Sequence, residues 1–171
     1  MKKWWMLVLA ALMLAACSNK EQVTTNPEEN DESTVGFEVM GDKVEEAPNV
    51  PEEQEEQILS AFSEYIDSFN AKDIDRYIET LSKDPQGFDY EEELQYTKEM
   101  FEKYDITKSI KDVTIVKYSP EEAQIFSNME TVVKEIETSV INKETRRQVT
   151  VFKNENGDWK VTSVFAMGDL Q

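Results

Sequence analysis

Between Glu52 and Asn70 apolar side chains recur at three and four residues: Ile58, Leu59, Phe62, Tyr65, Ile66 and Phe69. That spacing predicts a helix with one buried face, and Glu52, Glu53, Glu55 and Glu56 suit the positive end of its dipole. Asp73 is placed to cap a second, shorter helix carrying Ile74, Tyr77, Ile78 and Leu81, which Asp84, Pro85, Gln86 and Gly87 bring to an end. A third helix is predicted from about Tyr90 to Lys103, with Leu94, Thr97, Met100, Phe101 and the following Tyr104 turned inward. Beyond Tyr104 the period becomes that of strands. Ser109 to Tyr118 is rich in β-branched residues and stops at Ser119-Pro120. Ala123 to Glu137 reads as a long second strand whose apolar set moves from Ala123, Ile125 and Met129 to Val132 and Ile136, which suggests a bulge. Thr145 to Lys153 forms a third strand, Asn154 to Gly157 a hairpin turn, and Asp158 to Met167 a fourth strand with Trp159, Val161, Phe165 and Met167 on one face. Three helices followed by four antiparallel strands make an α+β domain in which helices pack on one curved sheet.

The segments before this domain have other patterns. Ser18 to Pro51 holds nine acids against Lys20 and Lys43, with Asn26-Pro27-Glu28-Glu29-Asn30-Asp31-Glu32 in succession. It is too polar to offset its ordering entropy by burial, so it is expected to be a solvated tether with an end-to-end distance of about 30–35 Å. Within it, Val35, Phe37, Val39 and Met40 alternate as a strand does, the pattern of a patch able to dock on the domain.

The chain opens with Lys2 and Lys3, then an apolar run from Trp4 to Met13 and the small residues Ala15 and Ala16, the signature of a secretory leader. At 13 residues, Trp4 to Ala16 falls short of the roughly 20 that span a hydrocarbon core. Leu14-Ala15-Ala16-Cys17 resembles the lipobox of bacterial lipoprotein signals. The resemblance implies that Cys17 receives a diacylglycerol and becomes the mature N-terminus, holding the protein to the outer face of a bacterial membrane, where two or three acyl chains anchor durably. The expected organisation is therefore 1–16 signal peptide, 17–51 lipidated cysteine and acidic tether, and 52–171 folded domain.

Composition removes whole classes of activity. The chain has no histidine and Cys17 is its one cysteine, so Ser/His/Asp and Cys/His nucleophiles, histidine bases, common zinc sites and an intramolecular disulfide are all excluded. Neither a Ser-x-x-Lys spacing nor a phosphate-cradling glycine motif occurs. A net charge of −18 opposes nucleic acid binding and repels anionic headgroups. No cofactor or metal is expected. Asn154 to Asp158 lacks the spacing and terminal glutamate of a calcium loop.

Several phrases in order carry a second resemblance: Asn70-Ala71-Lys72-Asp73-Ile74-Asp75-Arg76-Tyr77 after the long helix, Ile110-Lys111-Asp112-Val113 with Ser119-Pro120-Glu121-Glu122-Ala123 after it, and the closing Gly157-Asp158-Trp159-Lys160-Val161. Residues 52–171 resemble the NTF2-like (cystatin-like cone) superfamily. It includes isomerases, dehydratases, cyclases and many non-catalytic binding domains, so the resemblance implies a fold and a pocket rather than a reaction. Its enzymes place an acid, often with a tyrosine, among apolar side chains in the cone. Candidates for that role are Asp112 and Glu130 with Tyr65, while Tyr77 and Tyr104 are further tyrosines, although alternation places the two acids outward equally well. Phe69, Tyr77, Phe126, Met129, Trp159 and Phe165 are candidate ligand-lining residues, and equally core residues. Lys143, Arg146, Arg147 and Lys153 form the one basic cluster, suited to an anion, an acidic partner or edge protection. The leading reading is a lipid-anchored, non-catalytic module binding a small apolar ligand or an envelope protein. The alternatives are a cofactor-independent lyase or isomerase, and an accessory that modulates a neighbouring membrane protein.

Overall fold

The computed structural model describes residues 44–167. The signal peptide, Cys17, the Val35–Met40 patch and most of the expected tether lie outside the described residues.

Three helices precede four strands: α1 (Glu52–Asn70), α2 (Ile74–Glu79), α3 (Tyr90–Lys103), β1 (Tyr104–Tyr118), β2 (Glu122–Glu135), β3 (Ile141–Glu155) and β4 (Asp158–Met167). The strands form one antiparallel sheet in the order β1-β2-β3-β4, so every connection is a hairpin. Helix starts follow local chemistry. Asp73 caps α2 by accepting from the Arg76 N–H, and Asp89 caps α3 by accepting from the Glu92 N–H. Pro51 occupies the N-cap of α1 with three acids in the first turn. At the far end of α1 the Asn70 side chain acts as a short strand. Its Nδ2 donates to the Lys108 carbonyl (2.8 Å) and its Oδ1 accepts from the Lys108 N–H (2.7 Å), tying the helix to β1.

The helices cover one sheet face. Ile58, Phe62, Tyr65, Ile66 and Phe69 of α1 join Tyr77, Leu81, Ile106, Ile115, Ala123, Ile125, Met129, Phe152, Trp159 and Val161 in the main core. Phe62 meets Phe152 edge-on at 6.3 Å. After α2 the chain runs along β4, where Ser82 N–H donates to the Val161 carbonyl and Val161 N–H to that of Thr80, shielding this edge.

Four expectations change. The described chain joins the fold before residue 52: Ala47 donates to the Ile115 carbonyl (2.8 Å), Ala47 and Val50 pack on the main core, and Val44 packs on the opposite sheet face. Acidic composition hid these few apolar anchors. β1 starts at Tyr104 rather than Ser109, because the backbone turns extended directly at the end of α3. β2 keeps an unbroken register with β3, and the bulges lie instead on β1, at Asp112-Val113 and near Val116. Asp112 takes a positive φ of 52° there, a conformation Asp tolerates better than most residues. A further bulge places two β4 residues, Thr162 and Ser163, where β3 advances by one. This flips the strand, so Trp159 and Val161 face the helices while Phe165 and Met167 face away. The carbonyl of Thr162, freed from the ladder, accepts from the N–H groups of Gln86 and Gly87 (both 2.9 Å). Gly87 permits that approach, since a Cβ there would sit 2.8 Å from the Ser163 Cβ.

The hairpins behave as their residues demand. Asn156 and Gly157 both take positive φ between the paired Glu155 and Asp158, the two-residue geometry that Asn-Gly favours. At the other end, Ser119 Oγ accepts from the Glu122 N–H (3.0 Å), turning β1 into β2.

Candidate functional site

A cavity of about 260 Å³ opens where α2, α3 and β4 meet, lined by Tyr65, Tyr77, Leu81, Gly87, Phe88, Glu93, Val161 and Val164. Each wall has a local cause. Tyr65 and Tyr77 lie on the buried faces of α1 and α2 with their rings stacked at 5.6 Å, and the bonds that hold Gly87 at the β4 bulge put the neighbouring Phe88 in the lining with Val161 and Val164. Glu93 stands one turn inside α3. Its Oε1 accepts from the Tyr77 hydroxyl (2.8 Å) and the Thr97 hydroxyl (3.1 Å), while its Oε2 accepts from no described residue. The cavity lining thus includes one carboxylate, of which one oxygen has no donor among the described residues.

The electrostatics reinforce this arrangement. Burial pushes the Tyr65 hydroxyl up to about 12, with a smaller opposing effect from its hydrogen bond with Tyr77. Burial likewise holds Tyr77 well above the usual tyrosine value, helped by the charge of Glu93. Both phenols therefore stay protonated throughout the physiological range. Next to them Lys108 lays its ammonium over the Phe69 ring, 3.7 Å from the centroid. Desolvation brings it down to about 8, against the opposing pull of Glu93.

The candidate residues read from the sequence divide between the two sheet faces. Tyr65 and Tyr77 line the cavity; Phe69, Met129 and Trp159 belong to the main core, away from the cavity lining. Phe126 and Phe165 lie on the opposite face, so the six candidate lining residues do not form one wall. Asp112 is exposed at its bulge and accepts from Asn128 Nδ2 (2.8 Å). Glu130 pairs with Lys143 (3.0 Å) on the face away from the helices. Neither acid meets Tyr65, because the even positions of β2 face outward in an unbroken register and the β1 bulge turns Asp112 to the same side. The acid that does join the tyrosines, Glu93, sits in a run of three glutamates that reads as solvated; its spacing of four from Thr97 was the available signal. Tyr104 is the first residue of β1, packed at the border of the main core. Two members of the basic cluster form ion pairs, Arg146 with Glu144 (3.0 Å) and Lys143 with Glu130.

A larger, open groove of about 970 Å³ runs between α1, α2 and the β3–β4 turn. Its cations are already used: Arg76 makes a two-pronged contact with Glu64 (2.8 and 2.9 Å), and Lys160 donates to the Glu79 carbonyl. It is surface relief of a charged protein rather than an organised site. Among the described residues no three acids or cysteines cluster as a metal site would, and no helix is long and apolar enough to cross a membrane.

A protein-family profile described as "Anti-sigma-I factor RsgI9, C-terminal domain" matches residues 60–167, well over half of the chain. The chain belongs to this RsgI9 C-terminal domain family. The matched region runs from the middle of α1 to the end of β4 and includes every residue that lines the cavity. No curated protein matches the sequence. Solved structures share the fold. A ketosteroid isomerase-like protein from Erwinia carotovora atroseptica superposes with a TM-score of 0.56 at 22% identity, over 67% of this chain and 95% of its own. An NTF2-like superfamily protein from Salmonella enterica serovar Typhimurium gives 0.60 at 13%, over 68% and 91%. Hexachlorocyclohexane dehydrochlorinase LinA-type3 from Novosphingobium barchaimii gives 0.59 at 10%, over 67% and 86%. This RsgI9 C-terminal domain therefore has the NTF2-like, cystatin-like fold that its sequence resembles, on a scaffold that also carries enzymes.

Proposed function

We propose that this chain is a lipid-anchored, extracytoplasmic recognition domain without catalytic activity. Its cavity takes a small molecule with an apolar body and one hydrogen-bond donor, an amine or hydroxyl. The observation that carries this reading is the Glu93 carboxylate, whose Oε1 holds two protein donors while Oε2 has none among the described residues, on a residue that lines the cavity with Leu81, Phe88, Val161 and Val164. The proton of Tyr77 is committed to Glu93 and held there by burial, which opposes the acid/base alternative. A family named for an anti-sigma factor suits recognition coupled to a regulatory protein partner better than turnover. The leader and Cys17 supply the anchoring part of the proposal.

Binding is tested on the mature chain carrying Cys17→Ala, titrated by NMR with primary amines and alcohols of four to eight carbons. Saturable binding that Glu93→Gln weakens about 10- to 100-fold is expected, the loss of one charge-assisted bond of about 1.5–3 kcal/mol. Equal affinity in Glu93→Gln would reject the site. Solvent deuterium entering C–H positions of the bound compound would move the assignment to an isomerase or lyase. For anchoring, the intact chain should fractionate with membranes and Cys17→Ala should not; unchanged membrane retention of the variant would end the lipid reading.

A further inference from the structure

Among the described residues three lysines are partly withdrawn from water: Lys72, Lys108 and Lys160. Two of them are compensated. Lys72 Nζ donates to Asp105 Oδ1 (2.7 Å) and to the Phe101 carbonyl (3.0 Å), and Lys160 Nζ donates to the Glu79 carbonyl (2.6 Å). Lys108 has no such acceptor. Its Nζ lies 3.7 Å from the Phe69 ring centroid and 5.8 Å from that of Tyr65, with no hydrogen bond and no ion pair among the described residues. The ring faces attract a cation, but they leave its three N–H donors without the oxygen acceptors that water would supply.

The strand holds this amine in place. Asn70 clamps the Lys108 backbone through both its N–H and its C=O, and strand alternation puts the side chain on the helix-facing side with Ile106 and Ile110, which belong to the main core and its border. An apolar residue would fill that position without the desolvation cost, so a lysine kept there points to chemistry. Loss of water brings its pKa down to about 8. At pH 7 about one in ten such amines is neutral, against about one in 3,000 for an ordinary lysine. The residue stays partly exposed, which leaves small solutes a way in.

We propose that Lys108 is a covalent capture site for a small aldehyde with an apolar body, held as an imine between α1 and β1. The neutral amine attacks the aldehyde carbon. A C–N bond forms as the C=O π pair moves to oxygen, and a proton passes from nitrogen to that oxygen through solvent. The resulting carbinolamine loses its hydroxyl group and the remaining N–H proton as one water, leaving C=N with no change in oxidation state. Phe69 and Tyr65 supply apolar walls, and their ring faces hold the protonated imine as they hold the ammonium. Capture is reversible and needs nothing from Glu93, so it stands apart from ligand binding in the cavity.

Reductive trapping tests this on the mature chain carrying Cys17→Ala, using hexanal and sodium cyanoborohydride at pH 7 with intact mass and peptide mapping as the readout. The α-amine, which titrates near 8, is the internal reference for an exposed amine in the same range. Lys108 should be alkylated at least about tenfold faster than any other lysine, in keeping with its larger neutral fraction. Lys108→Met should lose that adduct alone, with the slow labelling of the exposed lysines and the fast labelling of the α-amine unchanged. Alkylation of Lys108 no faster than that of the exposed lysines overturns the proposal. Hexanoate shifting the Lys108 signals by NMR, with no hexanal adduct at Lys108, also overturns it and makes the residue an anion site.

Discussion

Replacing Phe152 by alanine is expected to destabilise the domain by about 3–5 kcal/mol, the cost of deleting a large ring where its surroundings cannot close the void. Phe152 is 0% exposed and lies edge-on to Phe62 of α1. It is the point where the sheet centre meets the long helix, so collapse around the cavity would require α1 to move against β3 and β4 together. For a domain of this size the loss corresponds to roughly 10–20 °C in melting temperature. In urea the midpoint should fall with little change in slope, because the surface exposed on unfolding is nearly unaltered. A fall of less than about 1 kcal/mol would show that the helix layer is not locked onto the sheet as described.

The second large effect is a pH dependence centred on Lys108. Its backbone is fixed by both bonds from Asn70, and its ammonium lies over the Phe69 ring and within 5.8 Å of the Tyr65 ring centroid. Desolvation lowers its pKa from the ordinary 10.5 to about 8. Between those values the unfolded chain holds a proton that the folded chain has released, so stability rises with pH through that window. Above about pH 10 the sign reverses. Unfolded tyrosines ionise there, whereas Tyr65 and Tyr77 keep their protons in the folded state. A stability maximum near pH 9–10 is therefore expected for a protein whose acidic composition alone suggests none there. Lys108→Met should remove the rise between pH 8 and 10 and stabilise the domain at pH 7 by about 2 kcal/mol, since a thioether fills the same path without the desolvation cost. Denaturant titrations across pH 6–11 measure both; a flat wild-type profile, or a variant less stable at pH 7, would refute the account.

Element types were legible in the sequence because each depends on neighbours a few residues away. The three- and four-residue spacing from Ile58 to Phe69, the cap Asp73, the Asn156-Gly157 turn and the β-branched runs after Tyr104 are all local signals, and the element types follow them. The faces of the strands were less legible. An added residue at Asp112-Val113 reverses the side chains of β1 until a second one near Val116 restores them, and another at Thr162 reverses those that follow on β4. For Thr162 the cause is a pair of donors, Gln86 and Gly87, more than seventy residues away. No window along β4 contains that information, so Phe165 and Met167 read as partners of Trp159 although they lie on the opposite face.

The candidate site divides in the same way. Tyr65 and Tyr77 were visible as buried aromatics on helical faces. Glu93 was not, because among neighbouring acids its spacing is that of a solvated helix; only the packing of α3 beside α2 gives it Tyr77 as a partner. The sequence alone determined what is counted or locally patterned: the absence of histidine chemistry, the acidity, the leader-like N-terminus and the order of helices and strands. The tertiary structure decided which acid meets which phenol, which face each strand residue takes and which lysine loses its water. Those depend on groups distant along the chain arriving within a few ångströms of one another, and hydrogen bonding and desolvation act only over such distances.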